Sequence, residues 1–299
     1  MYNTEVNALI TLIEDPDENI YRQVKSELVG YGERIIPQLE QYWELSDFGP
    51  LFHERIEELI SSIQYDSVYT RLKNWKQSGA EDLLEGALII NRYQYPGYDE
   101  DELRDKVSRI RQEIWLELND NLTAMEAVNV MNHMLFKVHG FQGNRDNYHQ
   151  PQNSYLADLI SSKKGNPLSL GILYAHLARS LDLPIHGVNL PSHFILCYLD
   201  DTVKLLMELK GEEMNYNPLD APVLFYINPF NEGSILHFEE IENFLNKQQL
   251  PLDPKFFGPC EHTDMIARMI NNLVHSYVAA NREDKVRELR TLLSLLLEK

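Results

Sequence analysis

The stretch GNPLSLGILYAHLAR, residues 165–179, places a serine, Ser169, in the first turn of a helix, and GVNLPSHFILCY places His193 at the opening of an apolar strand. A hydroxyl and an imidazole on neighbouring elements are a nucleophile and its base if the fold brings them within hydrogen-bond reach. The other use of a serine at that position is as a polar cap of the first turn. Asn166 is a good N-cap, and Pro167 suits the first helical position, where its missing N–H costs nothing. Leu168, Leu170, Ile172, Leu173, Leu177 and Leu181 leave this helix little polar face, so it is expected to lie in the protein interior.

Other chemistries are poorly served. His149, His176, His186, His193 and His237 crowd the middle of the chain, but none forms an HxH, HxxxH or HExxH pair and no carboxylate cluster sits at matching spacing. Neither a metal site nor a cofactor is therefore expected. The absence of G-x-G-x-x-G, Walker and G-x-S-x-G patterns removes nucleotide binding and the nucleophile-elbow hydrolases as first choices.

The elements that would position Ser169 and His193 change period along the chain. The first ~95 residues read as short helices joined by turns, with no convincing strand. Ile20, Val24 and Leu28 form one stripe, Gly30 and Gly32 stop it, and IIPQLEQYWE and LFHERIEELISSIQ follow as further helices. This succession of paired helices resembles HEAT-like repeats. Residues 99–121 alternate charges around Val107, Ile110, Ile114, Trp115 and Leu118 as an exposed amphipathic helix does. Thr123 and Glu126 form a capping box for a helix that Gly140 ends. GNRDNYHQPQNSYL, residues 143–156, is an ordered loop rich in turn formers. After residue 183 the period falls to two: PIHGVNL, HFILCYL, VKLLMEL and APVLFYI predict an antiparallel sheet. FEEIENFL then reads as a helix, and the last ~40 residues form two amphipathic helices separated near Asn281, a pair that resembles a tetratricopeptide-like hairpin.

At 299 residues the chain exceeds one ordinary core, so two or three units are expected. Its 46 acidic and 27 basic residues give a formal charge of -19, which argues against nucleic acid and anionic membranes as partners and favours basic or neutral ones. Cys197 and Cys260 are the only cysteines, a usage that fits a reducing, cytoplasmic setting. The N-terminal segment has no basic region and breaks its apolar run at Glu14 and Asp15, so neither a signal peptide nor a membrane span is expected.

A family resemblance joins these observations. KKGNPLSLGILYAHLARSLDLPIHGVNLPSHFILCY, with YINPFNEGSIL after it and GFQGNRDNYHQPQNSYL before it, resembles the core of the bacterial transglutaminase-like family of invasion-regulator homologues, whose members add a tetratricopeptide-like C-terminus. In active transglutaminase-like enzymes a helix N-terminus carries a cysteine, the next strand a histidine and the following strand an aspartate. The helix dipole and an imidazolium favour a thiolate, and the acid orients the ring. The resemblance puts Pro167 at the cysteine position, His193 at the histidine and Asn228 at the aspartate, so the nucleophile is missing. Ser169 lies two positions on, roughly 200 degrees around the helix. Cys197, four residues beyond His193, would be ~13 Å from it.

The reading is an α+β protein: a HEAT-like helical unit over residues 1–95, a papain/transglutaminase-like domain with an antiparallel sheet over 96–250, and a helical hairpin over 251–299. The implied function is a catalytically degenerate cleft that binds a protein or peptide. The open helix N-terminus would receive a carboxylate or carbonyl oxygen, His193 and Asn228 would supply polar contacts, and Asn166, Pro167, Asn189, Ser192 and Tyr226 are the binding candidates. Two alternatives stand beside it: a hydrolase or acyltransferase using Ser169 with His193 and Asn228, and an assembly protein acting through its helical ends.

Overall fold

A computed structural model describes residues 2–44, 48–200, 202 and 222–298. By contact density the chain divides into two compact units, Met1–Asn74 with Arg92–Pro96, and Trp75–Asn91 with Gly97–Lys299. Its helices begin with α1 (Tyr2–Thr11), α2 (Glu18–Gly30), α3 (Ile36–Trp43), α4 (Pro50–Gln77), α5 (Leu83–Gln94) and α6 (Glu100–Glu117). The α4 helix is 28 residues long. It runs well past the LFHERIEELISSIQ segment because no glycine or proline interrupts residues 65–77.

In the first unit, Val6, Ile10, Val24, Leu28, Leu39, Phe52, Ile56 and Leu59 form one fully buried core. Arg55 is buried with them, and its guanidinium donates to the carbonyls of Ile13 and Asp15 and to the Glu18 carboxylate at 2.8, 2.6 and 2.6 Å. The neighbouring acid and carbonyls replace the water that burial takes from this cation.

In the second unit, α6 starts at Asp99, whose side chain accepts from the Glu102 N–H. Val107, Ile110 and Ile114 are buried, whereas Trp115 is 61% exposed and lies off the predicted stripe. The Thr123–Glu126 capping box opens α7 (Ala124–Asn132) as the sequence predicts, and a π-helical turn, His133–Val138, continues it to Gly140 at φ +73°. The β1 (Gln142–Gly143) and β2 (Lys164–Gly165) strands pair in parallel and bracket a 3-10 turn, Pro151–Ser154, and α8 (Leu156–Ser162). The α9 helix (Pro167–Arg179) follows, with ten of its residues buried.

The sheet is antiparallel, in the order β3 (Ile185–Val188), β4 (Ile195–Leu199), β5 (Val223–Asn228) and β6 (Ser234–Leu236). The expected strand VKLLMEL lies outside the described residues, and β6 is an addition to the sequence reading. Among the described residues the unit continues with α10 (Phe238–Lys247), a single helical turn at Pro254–Phe257, α11 (His262–Ala279) and α12 (Glu283–Leu297). Asn281, at φ +55°, turns the chain between the last two.

Alternation along β4 divides its side chains between the two faces. Ile195, Cys197 and Leu199 join Val188, Tyr226, Ile241 and Leu245 in a core roofed by α10. Phe194 and Leu196 turn the other way, onto α9, where a Cβ on Gly171 would sit 2.4 Å from the Phe194 ring and 3.6 Å from Leu196. A second constrained glycine, Gly233 (φ +72°), ends a turn whose carbonyl accepts from Asn132 Nδ2, and a Cβ there would overlap Asn132. Asn132 in turn accepts from the buried Tyr174 hydroxyl, which ties α7 and α9 to the β5–β6 turn. Gly171→Ala is predicted to drive the Phe194 ring from its site and lower stability by about 1–3 kcal/mol, measured as the shift in the urea unfolding curve.

Candidate functional site

Four buried polar residues of the second unit, Asn153, Ser154, Asn166 and Ser169, converge at one place, the head of α9. Asn166 accepts from the Ser169 N–H at 2.8 Å, and Ser169 Oγ accepts from the Asn166 N–H at 3.1 Å, a reciprocal capping box. The Ser169 hydroxyl donates to the Asn153 carbonyl at 2.7 Å, and Asn166 Nδ2 donates to Ser154 Oγ at 2.9 Å. Asn153 continues the network by donating to the carbonyls of Asn147 and Tyr148. Ser169 is 1% exposed, with its proton and one lone pair both committed. At the helix terminus Pro167 has no N–H and that of Ser169 is taken by the cap, while Leu168 borders the cleft described next.

Beside this cap is a cleft of about 370 Å³, within the size range of small-ligand sites. Its wall is built by residues 148–150 and Ser154, by Asn166, Pro167 and Leu168, by Ser192 and Phe194, and by Arg268, Asn272, His275, Ser276 and Ala279 of α11. Ser276 donates to the His149 carbonyl, and the Tyr155 and Tyr277 hydroxyls meet at 3.2 Å, so α11 holds the 143–156 loop in place. Residues 190–193 make a turn closed by the His193 N–H on the Leu190 carbonyl at 3.0 Å. Pro191 and Ser192 take its central positions, and Ser192 has φ +59°, the type II pattern that glycine usually fills. Arg268 Nη1 donates to the same Leu190 carbonyl at 3.0 Å and to Asn189 Oδ1 at 3.3 Å.

The structure gathers Asn166, Pro167 and Ser192 at the cleft, with Asn189 one hydrogen bond away through Arg268. It does not bring Ser169, His193 and Asn228 together, and no hydrogen bond joins any two of them. His193 packs edge-on against Phe244 of α10, with ring centroids 4.8 Å apart, on the side of the sheet away from α9. Ser192 and Phe194, its neighbours in sequence, are the residues that face the cleft. Asn228 caps the turn after β5 by accepting from the Phe230 and Asn231 N–H groups. Tyr226 is buried under α10 and donates to the Phe257 carbonyl, so it too lies away from the cleft. Cys197 is fully buried in the sheet core, where burial pushes its thiol pKa up. The sequence reading missed Arg268, His275 and Asn272, which sit on one face of α11 at helical spacing. That spacing was the available signal, and it served there only to recognise a helix.

A family model described as the transglutaminase-like superfamily matches residues 101–271, more than half of the chain. The chain belongs to the transglutaminase-like superfamily. A UPF0162 protein of Xylella fastidiosa (strain 9a5c) is 29% identical over 209 residues, which cover 68% of this chain and 67% of that one. A UPF0162 protein of Vibrio cholerae serotype O1 is 24% identical over 166 residues, covering 55% and 62%. Human F-box only protein 21 is 28% identical over 149 residues, half of this chain and 21% of its own length. No solved structure matches. Within this superfamily, the position that the resemblance gives to the catalytic cysteine is held here by Pro167, at the cleft wall.

Elsewhere in this transglutaminase-like unit, His186, His262, Arg179 and Cys260 line a smaller cavity below the sheet, and His176 with His262 lines another. Among the described residues no group of three or more histidine, cysteine or acidic side chains is arranged to hold a metal ion. Burial, with His262 and Arg179 nearby, lowers the His186 pKa to about 4, and burial also lowers those of His176 and His262.

Two predictions follow from these environments. Ser169→Ala removes a buried donor and acceptor at once, leaving the Asn166 N–H and the Asn153 carbonyl with only their mutual bond at 3.2 Å. It is expected to cost about 1–3 kcal/mol in urea unfolding, with Asn166→Ala costing about 1–2 kcal/mol through the lost cap. For His186, the unfolded chain takes up a proton between about pH 6.5 and 4 that the folded chain does not. Stability therefore falls as pH is lowered through that window, and His186→Asn is expected to flatten part of the slope when unfolding midpoints are measured from pH 7 to 4.

Proposed function

We propose that this protein is a non-enzymatic member of its superfamily whose cleft at the head of α9 binds a peptide or protein segment. The observation that carries the reading is the content of the cleft: Pro167 stands at its wall, and neither cysteine lines it. The commitment of the Ser169 hydroxyl to the Asn153 carbonyl supports the same reading, since a serine nucleophile needs a base that can take its proton. The match to a fifth of human F-box only protein 21 supports a domain that also works as one module within longer chains.

The helical parts, residues 1–95 and 251–299, are proposed as HEAT-like and tetratricopeptide-like surfaces that flank the 96–250 domain and meet a protein partner rather than nucleic acid or a membrane. No helix among the described residues is long and apolar enough to cross a membrane. Cytoplasmic residence is part of the same proposal, resting on two free cysteines.

The test is selection of binders from a random peptide display library on the full chain, followed by affinity measurement against wild type and Ala279→Trp, an exposed rim substitution that fills the cleft. Selected peptides are expected to lose at least about tenfold in affinity on the variant, a difference of ~1.4 kcal/mol. Selection of no peptide, or equal affinity for both proteins, would refute the binding reading. Turnover across a fluorogenic ester and amide panel that disappears in Ser169→Ala would replace it with the enzyme.

A further inference from the structure

The cleft has an electrostatic character unlike the rest of the chain. Aspartate and glutamate make up 46 of 299 residues, yet among the described residues none lines it. Arg268 does, half-buried, and that burial lowers its pKa below the usual arginine value. Among the described residues no carboxylate lies within ion-pair reach of it. Its hydrogen bonds run from Nη1 alone, to the Leu190 carbonyl and the Asn189 amide oxygen, and leave Nη2 and Nε without a protein partner.

Arg55 shows what a buried arginine does in this chain when its role is internal: it spends both terminal nitrogens, one of them on Glu18. Arg268 keeps half of its fork and all of its charge uncompensated. A half-buried cation without a counter-ion is partly desolvated, a cost that an incoming anion relieves.

The surroundings fit one kind of anion. A guanidinium offers two parallel N–H groups in a plane, the geometry of a carboxylate. The Phe194 ring lies 5.8 Å from the Arg268 guanidinium carbon, and the two bonds to the 189–190 backbone and side chain fix the remaining edge, so the fork is oriented before anything binds. His149, His275 and Asn272 can add N–H donors around it, while Pro167, Leu168 and Ala279 give apolar wall for an adjoining side chain. Ser192, held at φ +59° where glycine would be unstrained, lines the same space.

We infer that the cleft is a carboxylate-recognition site, with Arg268 as the anchor for an acidic group of a bound peptide, either the chain-terminal carboxylate or an aspartate or glutamate side chain. The inference rests on the peptide-binding reading and narrows its substrate class.

The experiment uses the full chain immobilised and three N-acetylated random tetrapeptide pools lacking lysine and arginine. One has free C-termini and no acidic residue, one has amidated C-termini and one fixed glutamate, and one has amidated C-termini and no acid. Retention of the first or the second pool over the third is expected, and which of the two is retained identifies the source of the carboxylate. The retained pool is expected to bind Arg268→Gln about thirtyfold more weakly or worse, as loss of one partner of a desolvated charge pair predicts. Arg268→Lys is expected to recover little, because an ammonium lacks the fork.

Because Arg268 also braces the 190–193 turn, Asn272→Glu provides a second arm. It leaves Arg268 in place, sets an acid one helical turn from it on the same face, and is expected to abolish the preference for acidic pools. Equal retention of all three pools, with loss on Ala279→Trp, would overturn carboxylate recognition while leaving peptide binding intact. Retention of none would overturn both. An acid preference unchanged in Arg268→Gln and Asn272→Glu would place recognition elsewhere and overturn this assignment.

Discussion

The reciprocal cap between Asn166 and Ser169, anchored on Asn153, is the constraint on which the second unit depends. It fixes where α9 begins, and α9 is so thoroughly buried that a shift of its first residue would move the whole apolar helix against the sheet. The same bonds pin the 3-10 turn of Pro151–Ser154 to the helix, and with it the loop that forms one wall of the cleft. Each of these groups is almost free of solvent, so any one left unpaired would cost more than the pair contributes when made. A serine that suggests a nucleophile in the sequence is thus part of the helix start, its hydroxyl committed to the Asn153 carbonyl.

A second constraint is packing between Gly171 and Phe194. The missing Cβ lets the Phe194 ring lie against the α9 backbone, and the ring in turn carries the 190–193 turn to the mouth of the cleft. Interiors are packed tightly enough that such an interlock has little slack. Arg268 closes the structure from the other side through its bond to the Leu190 carbonyl, so a helix from the C-terminal part of the chain completes a site begun by α9. The site therefore depends on three separate stretches of sequence, 148–168, 189–194 and 268–279.

That dependence explains what could be read from the sequence. The start of α9, the Thr123–Glu126 box and the break at Asn281 were legible because capping and turn chemistry act over three or four residues. The antiparallel sheet was legible from its period of two, except for β6, whose three residues are too short to show a period. The orientation of His193 was not legible. One residue decides which face of a sheet a side chain takes, and the turn that sets the register holds a serine at φ +59° where a glycine would have announced it. Arg268 was hidden for another reason: its helix reads correctly as amphipathic, but nothing local says that the polar face looks at residues 189–190 rather than water.

The charge of the chain and the character of the cleft pull in opposite directions, and distance decides between them. A formal charge of -19 is spread over the surface, and at physiological salt its influence on an arriving anion fades beyond about 8 Å. Inside the cleft, solvent screening is reduced and the nearest full charge is the guanidinium of Arg268. The far field thus slows the encounter with acidic partners in general, while the near field holds an acidic group that reaches the fork in the right pose. On the inference drawn above, a net acidic chain with a cationic cleft disfavours diffuse polyanions and favours a single carboxylate on an otherwise neutral or basic segment.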